Sequence, residues 1–282
     1  MSAAIPTGAP LLELRGLAKR FPGRGGAGRD ALRGIDLDLA AGEILGIAGE
    51  SGCGKTTLAR CILGLERLDA GSVRFAGQDL AALDRDALRR LRRRIQMVFQ
   101  DPYSSLNPRH SVGEIVGEGL AVHGLAQGAE RARRVAALLE RVGLDPADAG
   151  RRPREFSGGQ RQRIGIARAL ACGPELLVAD EPVSALDVSV QAQILALLAD
   201  LRRREGLSIL IISHDLAVLR QLCDRIGVML RGELLECGPA DRLLTAPSHP
   251  YTRALLAAVP RLEGVISAPR TASTSPNKEE SG

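Results

Sequence analysis

Residues 49–57 read Gly49-Glu50-Ser51-Gly52-Cys53-Gly54-Lys55-Thr56-Thr57. Gly49, Gly54, Lys55 and Thr56 fall in register with G-x-x-x-x-G-K-[ST]. The apolar run Ile44-Leu45-Gly46-Ile47-Ala48 stands directly before it and predicts a short buried strand. Thr57-Leu58-Ala59-Arg60-Cys61-Ile62-Leu63 follows and predicts a helix. Strand, glycine loop and helix in that order separate a phosphate loop from a chance match, because a plain glycine-rich turn requires neither flank. Glycines let successive backbone N–H groups turn inward onto phosphate oxygens, and the helix N-terminus adds partial positive charge. In such a loop Lys55 reaches the β- and γ-phosphates of a nucleoside triphosphate, and the Thr56 hydroxyl ligates Mg²⁺. All nine positions are candidate nucleotide contacts; Cys53 among them reads as a small residue that fits the loop.

A phosphate loop needs a metal-holding acid from a neighbouring strand. Leu176-Leu177-Val178-Ala179-Asp180-Glu181 supplies one: four apolar residues, then two carboxylates. Asp180, at the end of a buried strand, is the candidate Mg²⁺ holder. Glu181 is the candidate acceptor of a proton from attacking water. Paired acids at a strand end also serve as turn caps, but here the two motifs require each other.

The bulk properties narrow the class. A chain of 282 residues with 45% apolar content can bury one large α/β domain or two modest ones. No apolar stretch approaches the ~18 residues of a membrane-spanning helix. The N-terminus lacks a basic start followed by an apolar run, so no secretory leader is expected. The five cysteines are scattered and form no C-x-x-C, which argues against disulfides and zinc. The net charge of +5 is modest, aromatic residues are 2% and tryptophan is absent, so base-stacking platforms are lacking and no nucleic-acid partner is expected. The densest basic patch, Arg89-Arg90-Leu91-Arg92-Arg93-Arg94, reads first as a solvated helix face and second as a contact surface.

In order, Leu11–Leu17 predicts an edge strand, Pro22–Arg29 a glycine- and arginine-rich loop, and Ile35–Leu39 a half-buried strand. Gly71–Gly77 predicts a strand, Asp84–Arg94 a helix and Ile95–Gln100 a strand. From Leu106 to Arg152 helical patterns dominate, with Val135, Leu138, Leu139 and Val142 on one stripe. Strands return at residues 176–179, 208–213 and 226–230, with a helix over Val188–Arg204 between them. Strands alternating with helices predict an α/β fold with a mostly parallel sheet. Residues from Thr271 onward are polar and predict a disordered tail.

Further motifs carry a resemblance. Phe156-Ser157-Gly158-Gly159-Gln160 resembles the signature of ABC-type ATPases, Ser184-Ala185-Leu186-Asp187 their D-loop, Gln100 their Q-loop glutamine, and His214 their switch histidine. Together with the phosphate loop and the Asp180-Glu181 strand these stand in the family's order, over about residues 11–245. The resemblance implies a P-loop NTPase (RecA-like) core over about 11–95 and 160–245, with an antiparallel β edge and a helical subdomain over about 96–160. It also implies ATP and Mg²⁺ as cofactors, and two cassettes closing head-to-tail. Ser157, Gly158, Gly159 and Gln160 would then face the partner's γ-phosphate, near Asp187. Glu181 would be the general base and His214 would hold γ-phosphate and water. Gln100 would touch the metal, and Phe21 would stack on adenine.

Two longer strings, Gln100-Asp101-Pro102-Tyr103-Ser104-Ser105-Leu106-Asn107-Pro108-Arg109 and Ser248-His249-Pro250-Tyr251-Thr252-Arg253-Ala254-Leu255-Leu256, resemble the ATP-binding subunits of oligopeptide, dipeptide and nickel importers. The single ATPase domain then spans 11–262, with the importer-type motif at 246–262 and the disordered tail at 263–282. Some relatives add a cysteine cluster for an iron–sulfur centre after the H-P-Y-T segment; here the last cysteine is Cys237, so none is expected. The resemblance implies two permease subunits of an inner membrane, a second ATP-binding subunit (the same chain or another) and, indirectly, an extracytoplasmic solute-binding protein. It places the chain peripherally on the cytoplasmic face. Rival readings are an accessory ATPase of a phosphonate-degrading complex and a soluble ATPase acting on nucleic acid or ribosomes.

Overall fold

The structure, a computed structural model, describes residues 9–22 and 28–258. The readings for the N-terminal residues, most of the glycine- and arginine-rich loop and the polar tail lie outside the described residues. Along the chain come β1 (Leu12–Phe21), β2 (Arg29–Leu39), β3 (Ile44–Ala48), α1 (Lys55–Ile62), β4 (Ala70–Phe75), β5 (Gln78–Asp79) and α2 (Arg85–Arg94). Next are β6 (Ile95–Val98), α3 (Pro102–Ser105), α4 (Val112–Val122), α5 (Gly128–Arg141) and α6 (Gly158–Leu170). The remainder is β7 (Leu176–Asp180), α7 (Val188–Glu205), β8 (Ser208–Ser213), α8 (Leu216–Leu222), β9 (Arg225–Leu230), β10 (Glu233–Pro239), α9 (Ala240–Thr245) and α10 (Pro250–Ala257).

The apolar strands assemble into a sheet of order β10-β9-β3-β8-β7-β6, parallel except for β10. Every residue of β3, β7 and β8 is buried, as strands covered on both faces require. Their side chains alternate between two cores. Ile44, Leu177, Ala179, Ile209 and Ile211 face the helices, whereas Leu45, Ile47, Leu176, Val178, Leu210 and Ile212 face α1 and a second sheet. That second sheet is antiparallel, of order β2-β1-β4-β5. The helix α1 lies between the sheets through Leu58, Ala59, Cys61 and Ile62.

Two expectations are corrected. Residues 11–17 do not form an edge strand: β1 runs on to Phe21 and is interior, between β2 and β4. A loose apolar alternation shows that one face is buried and is silent on how many neighbours the strand has. The boundary near 96 between core and helical part falls inside β6, which pairs with β7 in the main sheet. The helices begin only at Pro102. Val135, Leu138, Leu139 and Val142 are all buried against α4 and α6, as their spacing predicts.

The basic patch is neither simply solvated nor a free contact surface. The guanidinium of Arg89 donates to the carbonyl of Val122 at the end of α4. Arg92 donates to Leu63 (3.4 Å) and Gly64 (2.6 Å) just after α1. Arg93 donates to Cys172 just after α6 (3.2 Å). Arg94 forms a two-pronged pair with Glu175 at 2.6 and 2.8 Å. The last carbonyls of a helix lack intrahelical partners and carry partial negative charge. α2 therefore ties the ends of three helices together. Replacing Arg92 by Ala should cost about 1 kcal/mol, read as a lower urea midpoint at unchanged slope. Arg90→Ala, on the exposed side of α2, should stay within about 0.5 kcal/mol.

Candidate nucleotide site

The parallel strands end on one edge of the sheet. Ala48 pairs with Ser213, Asp180 with Ile212 and Val98 with Ala179. The chain segments leaving those ends are the phosphate loop, Glu181, His214 and Gln100, which therefore meet. A cleft of about 660 Å³ is lined by Phe21, Gly49, Glu50, Ser51, Gly52, Gly54, Lys55, Thr56, Thr57, Gln100, Glu181 and His214, with Arg29, Ala31 and Leu255. Placement outside the carboxyl ends of parallel strands is where open α/β sheets bind ligands.

The loop's glycines are steric necessities. Gly54 caps α1 with φ 114°, and a Cβ there would sit 2.3 Å from the carbonyl oxygen of Ala31. A Cβ on Gly49 would sit 2.3 Å from the carbonyl oxygen of Met229. Lys55 is buried, and its ammonium donates to the carbonyls of Gly49 (2.6 Å) and Glu50 (2.9 Å), closing the loop around it. Cys53 does not line the cleft. Its N–H is used on the Glu50 carbonyl (3.3 Å), and burial pushes its thiol pKa up.

Beneath the cleft, Asp180 is 3% exposed. The Thr56 hydroxyl hydrogen-bonds its carboxylate, while Oδ1 is buried without a partner. Burial raises the Asp180 pKa above the ordinary carboxylate range; the Thr56 bond opposes this and the charge of Glu181 adds to it. A hydroxyl beside an orphaned carboxylate oxygen is a hard-oxygen donor set that fits Mg²⁺, which takes one or two protein ligands and completes its shell with water and phosphate. No group of three or more His, Cys, Asp or Glu able to hold a metal occurs among the described residues.

Glu181 has φ 46°, a left-handed conformation that a non-glycine residue adopts only when its surroundings impose it. Its N–H bonds to the Ile212 carbonyl at 2.9 Å. Its Oε2 accepts from Gln100 Nε2 at 3.2 Å and lies 3.1 Å from His214 Nδ1. Phe21 is half-buried at the cleft wall, with the Lys19 ammonium 5.1 Å from its ring centre, so it is not a core residue.

Ser157, Gly158, Gly159 and Gln160 do not line this cleft. They start α6 as a capping box: Ser157 Oγ accepts from the Gln160 N–H (3.3 Å), and Gln160 Oε1 accepts from the Ser157 N–H (2.9 Å). A Cβ on Gly159 would lie 2.3 Å from Val190 Cγ1, so α7 packs onto the glycine itself. Asp187 also lies outside the cleft; it caps α7, accepting from Val190 N–H (3.0 Å) and Ser189 Oγ (2.7 Å). That backbone bond lowers its pKa.

Arg29, Ala31 and Leu255 were missed by sequence reasoning. Arg29 stood at the end of the basic loop and donates to the Gly52 carbonyl. Leu255 stood inside the H-P-Y-T string. Neither position belongs to a nucleotide-binding motif.

A phosphate loop, a buried metal-type carboxylate and an oriented glutamate around one cleft define a nucleoside-triphosphatase. The ABC transporter family pattern matches residues 32–184, and the pattern for the oligopeptide/dipeptide transporter C-terminal region matches residues 235–282. A Brucella ovis protein named as a peptide import ATP-binding protein is 52% identical over 254 residues, covering 90% of this chain and 80% of that protein. The glutathione import ATP-binding protein GsiA of Salmonella paratyphi A is 51% identical over 262 residues, covering 91% of this chain and 42% of that longer protein. Among solved structures, the dimeric, ADP- and Pi-bound cassette MJ0796 aligns at TM-score 0.74 with 32% identity, over 81% of this chain and 98% of that one. Clostridium perfringens cbiO1, part of the ABC transporter complex cbiONQ, aligns at TM-score 0.75 with 28% identity, over 89% of this chain and 96% of that one. The chain belongs to the ATP-binding cassettes of the ABC transporter family, and its activity is that of an ATPase.

The raised Asp180 pKa has a stability consequence. A carboxyl that ionises less readily when folded costs stability as pH rises from the unfolded value through the folded one. Without Mg²⁺, Asp180→Asn should therefore melt higher than the parent at neutral pH. That difference should close as pH falls below the ordinary carboxylate range. The same variant should lose at least 10–100-fold in Mg²⁺ affinity with nucleotide bound. Differential scanning calorimetry across pH and a Mg²⁺ titration check both.

Proposed function

We propose that this chain is the ATP-binding and ATP-hydrolysing subunit that powers a membrane ABC importer of peptides. The observation that carries the reading is a full phosphate-loop cleft and an oligopeptide/dipeptide-type C-terminal region on one chain. The names of the relatives support it, glutathione being itself a short peptide. That weighs against nickel and against the non-transport ATPases.

In this reading the N–H groups of residues 49–57 and the Lys55 ammonium hold the triphosphate. Thr56 and Asp180, with Gln100 at the rim, hold Mg²⁺, which neutralises charge on the phosphates. Glu181, oriented by Gln100 and His214, takes the proton of the attacking water while His214 holds the γ-phosphate. Phe21 stacks on the adenine at the cleft wall. Ser157–Gln160 and Asp187 serve the cleft of a second ATP-binding subunit, either a copy of this chain or a distinct one. The dimeric relative supports that arrangement.

No helix among the described residues is long and apolar enough to cross a membrane. In this reading the chain sits on the cytoplasmic face of the cell membrane, with α3–α5 and the Gln100 segment against two permease subunits. A separate extracytoplasmic binding protein selects the solute, and hydrolysis is slow until the complex assembles.

Glu181→Gln should bind ATP with near-parental affinity and lose about 10²–10⁴-fold in turnover. Ser157→Arg should also keep ATP affinity in the isolated chain and lose turnover, because its target is another subunit's nucleotide. Equilibrium binding beside steady-state hydrolysis makes the comparison. Equal loss of affinity in Ser157→Arg would place the signature in its own chain's site. Co-purification with permease subunits, followed by labelled-peptide and nickel uptake in vesicles, tests the importer and its solute.

A further inference from the structure

The H-P-Y-T segment marks the family, but the cleft lining shows it doing more. Its start is held to the main sheet. Glu236 on β10 accepts from the N–H groups of Ser248 (2.8 Å) and His249 (3.1 Å). His249 Nδ1 accepts from the Tyr251 N–H at 3.1 Å and caps α10. Pro250 occupies the first turn, where a missing N–H costs nothing. Thr252 is fully buried. Arg253 Nη1 donates back to the carbonyls of Pro247 (3.2 Å) and Ser248 (3.0 Å). Ser248, His249, Pro250 and Arg253 thus fix where α10 begins.

What α10 turns toward is the phosphate loop. Tyr251 and Leu255 lie one turn apart and share a helix face. Leu255 lines the nucleotide cleft together with Gly49–Gly52 and Gly54–Thr57. The Tyr251 hydroxyl is buried and makes no well-formed hydrogen bond. Burial pushes its phenol pKa up, and the charge of Glu50 pushes it further. Glu50 is the second residue of the phosphate loop, and its carbonyl receives the Lys55 ammonium.

We propose that α10 is a strut of the nucleotide site, with Leu255 a wall of the cleft and Tyr251, one turn earlier on the same face and packed on the same core, a positioning residue whose ring holds that wall in place. The C-terminal region is then part of the ATP site, and by linkage ATP occupancy must bias the position of α10 as much as α10 biases ATP affinity. This rests on the assignment of residues 49–57 as the ATP phosphate loop.

The full-length chain tests it. Leu255→Ala opens the wall and Tyr251→Ala removes the ring beside it, whereas Tyr251→Phe, which removes only the unpartnered hydroxyl, should leave ATP affinity unchanged. Both alanine variants should raise KM and the Kd for ATP about three- to tenfold with kcat within twofold, alongside a fall in nucleotide-free Tm because both side chains also pack on the core. Leu256→Ala, which packs on the core and does not line the cleft, should lower Tm and leave KM alone. Independently of any variant, a non-hydrolysable ATP analogue should slow amide exchange over residues 250–257 of the parent protein. Unchanged KM in Leu255→Ala, or α10 exchange insensitive to the analogue, overturns the strut. Absence of Lys55-dependent ATP binding in the parent would instead overturn the assignment of the loop.

Discussion

Parallel pairing of β3 with β8, β8 with β7 and β7 with β6 delivers the ends of four strands to one edge, and the chemistry of the molecule depends on that register. A one-residue slip of β7 would turn Asp180 to the other face and carry Glu181 off the Ile212 carbonyl that holds it. The sheet resists slipping because both of its faces are buried: each strand alternates between two filled cores, so a slip exchanges every packed side chain at once. The same burial that fixes the geometry removes water from Asp180 and leaves its Oδ1 unpartnered. Rigidity and chemical readiness thus have one cause.

That readiness has a cost, and the cost falls on identifiable atoms. Asp180 holds a charge its surroundings disfavour, and Glu181 holds a backbone conformation its side chain disfavours. A left-handed non-glycine residue costs on the order of 1–3 kcal/mol. In the proposed reading both sit where the triphosphate and its metal bind, so ligand binding would relieve the first and use the second. Sites of this kind are less stable without their ligand than a purely structural design would be.

Much of this was legible in the chain. The phosphate loop, its strand and its helix were readable because each imposes a local pattern: an apolar run, glycines at fixed spacing, a lysine and a threonine. Glu181, His214 and Gln100 were readable as residues, and the structure adds that they meet, which depends on strand order. The interior place of β1 was not readable, because alternation records burial and carries no count of neighbours. The arginines of α2 looked like a charged surface because their partners are backbone carbonyls of Val122, Gly64 and Cys172, which leave no trace in side-chain identity. Arg29 and Leu255 escaped for the same reason: cleft walls are defined by shape.

The signature segment shows the limit of motif reading most clearly. Ser157 and Gln160 look like nucleotide contacts, yet each side chain is engaged by the other's backbone in starting α6. What the segment still offers outward is the first turn of a 13-residue helix whose N–H groups have no intrahelical partners, led by two glycines that carry no side chain to block approach. Gly159 is pressed against Val190, so α7, capped by Asp187, fixes the direction in which that turn points. The chain's own cleft is lined elsewhere. The N–H groups of Gly158 and Gly159 are left to water or to an anion arriving from outside the chain, and in the proposed reading that anion is the nucleotide held by a second subunit. In that reading the capping box is the means by which one chain presents half of a site to a second.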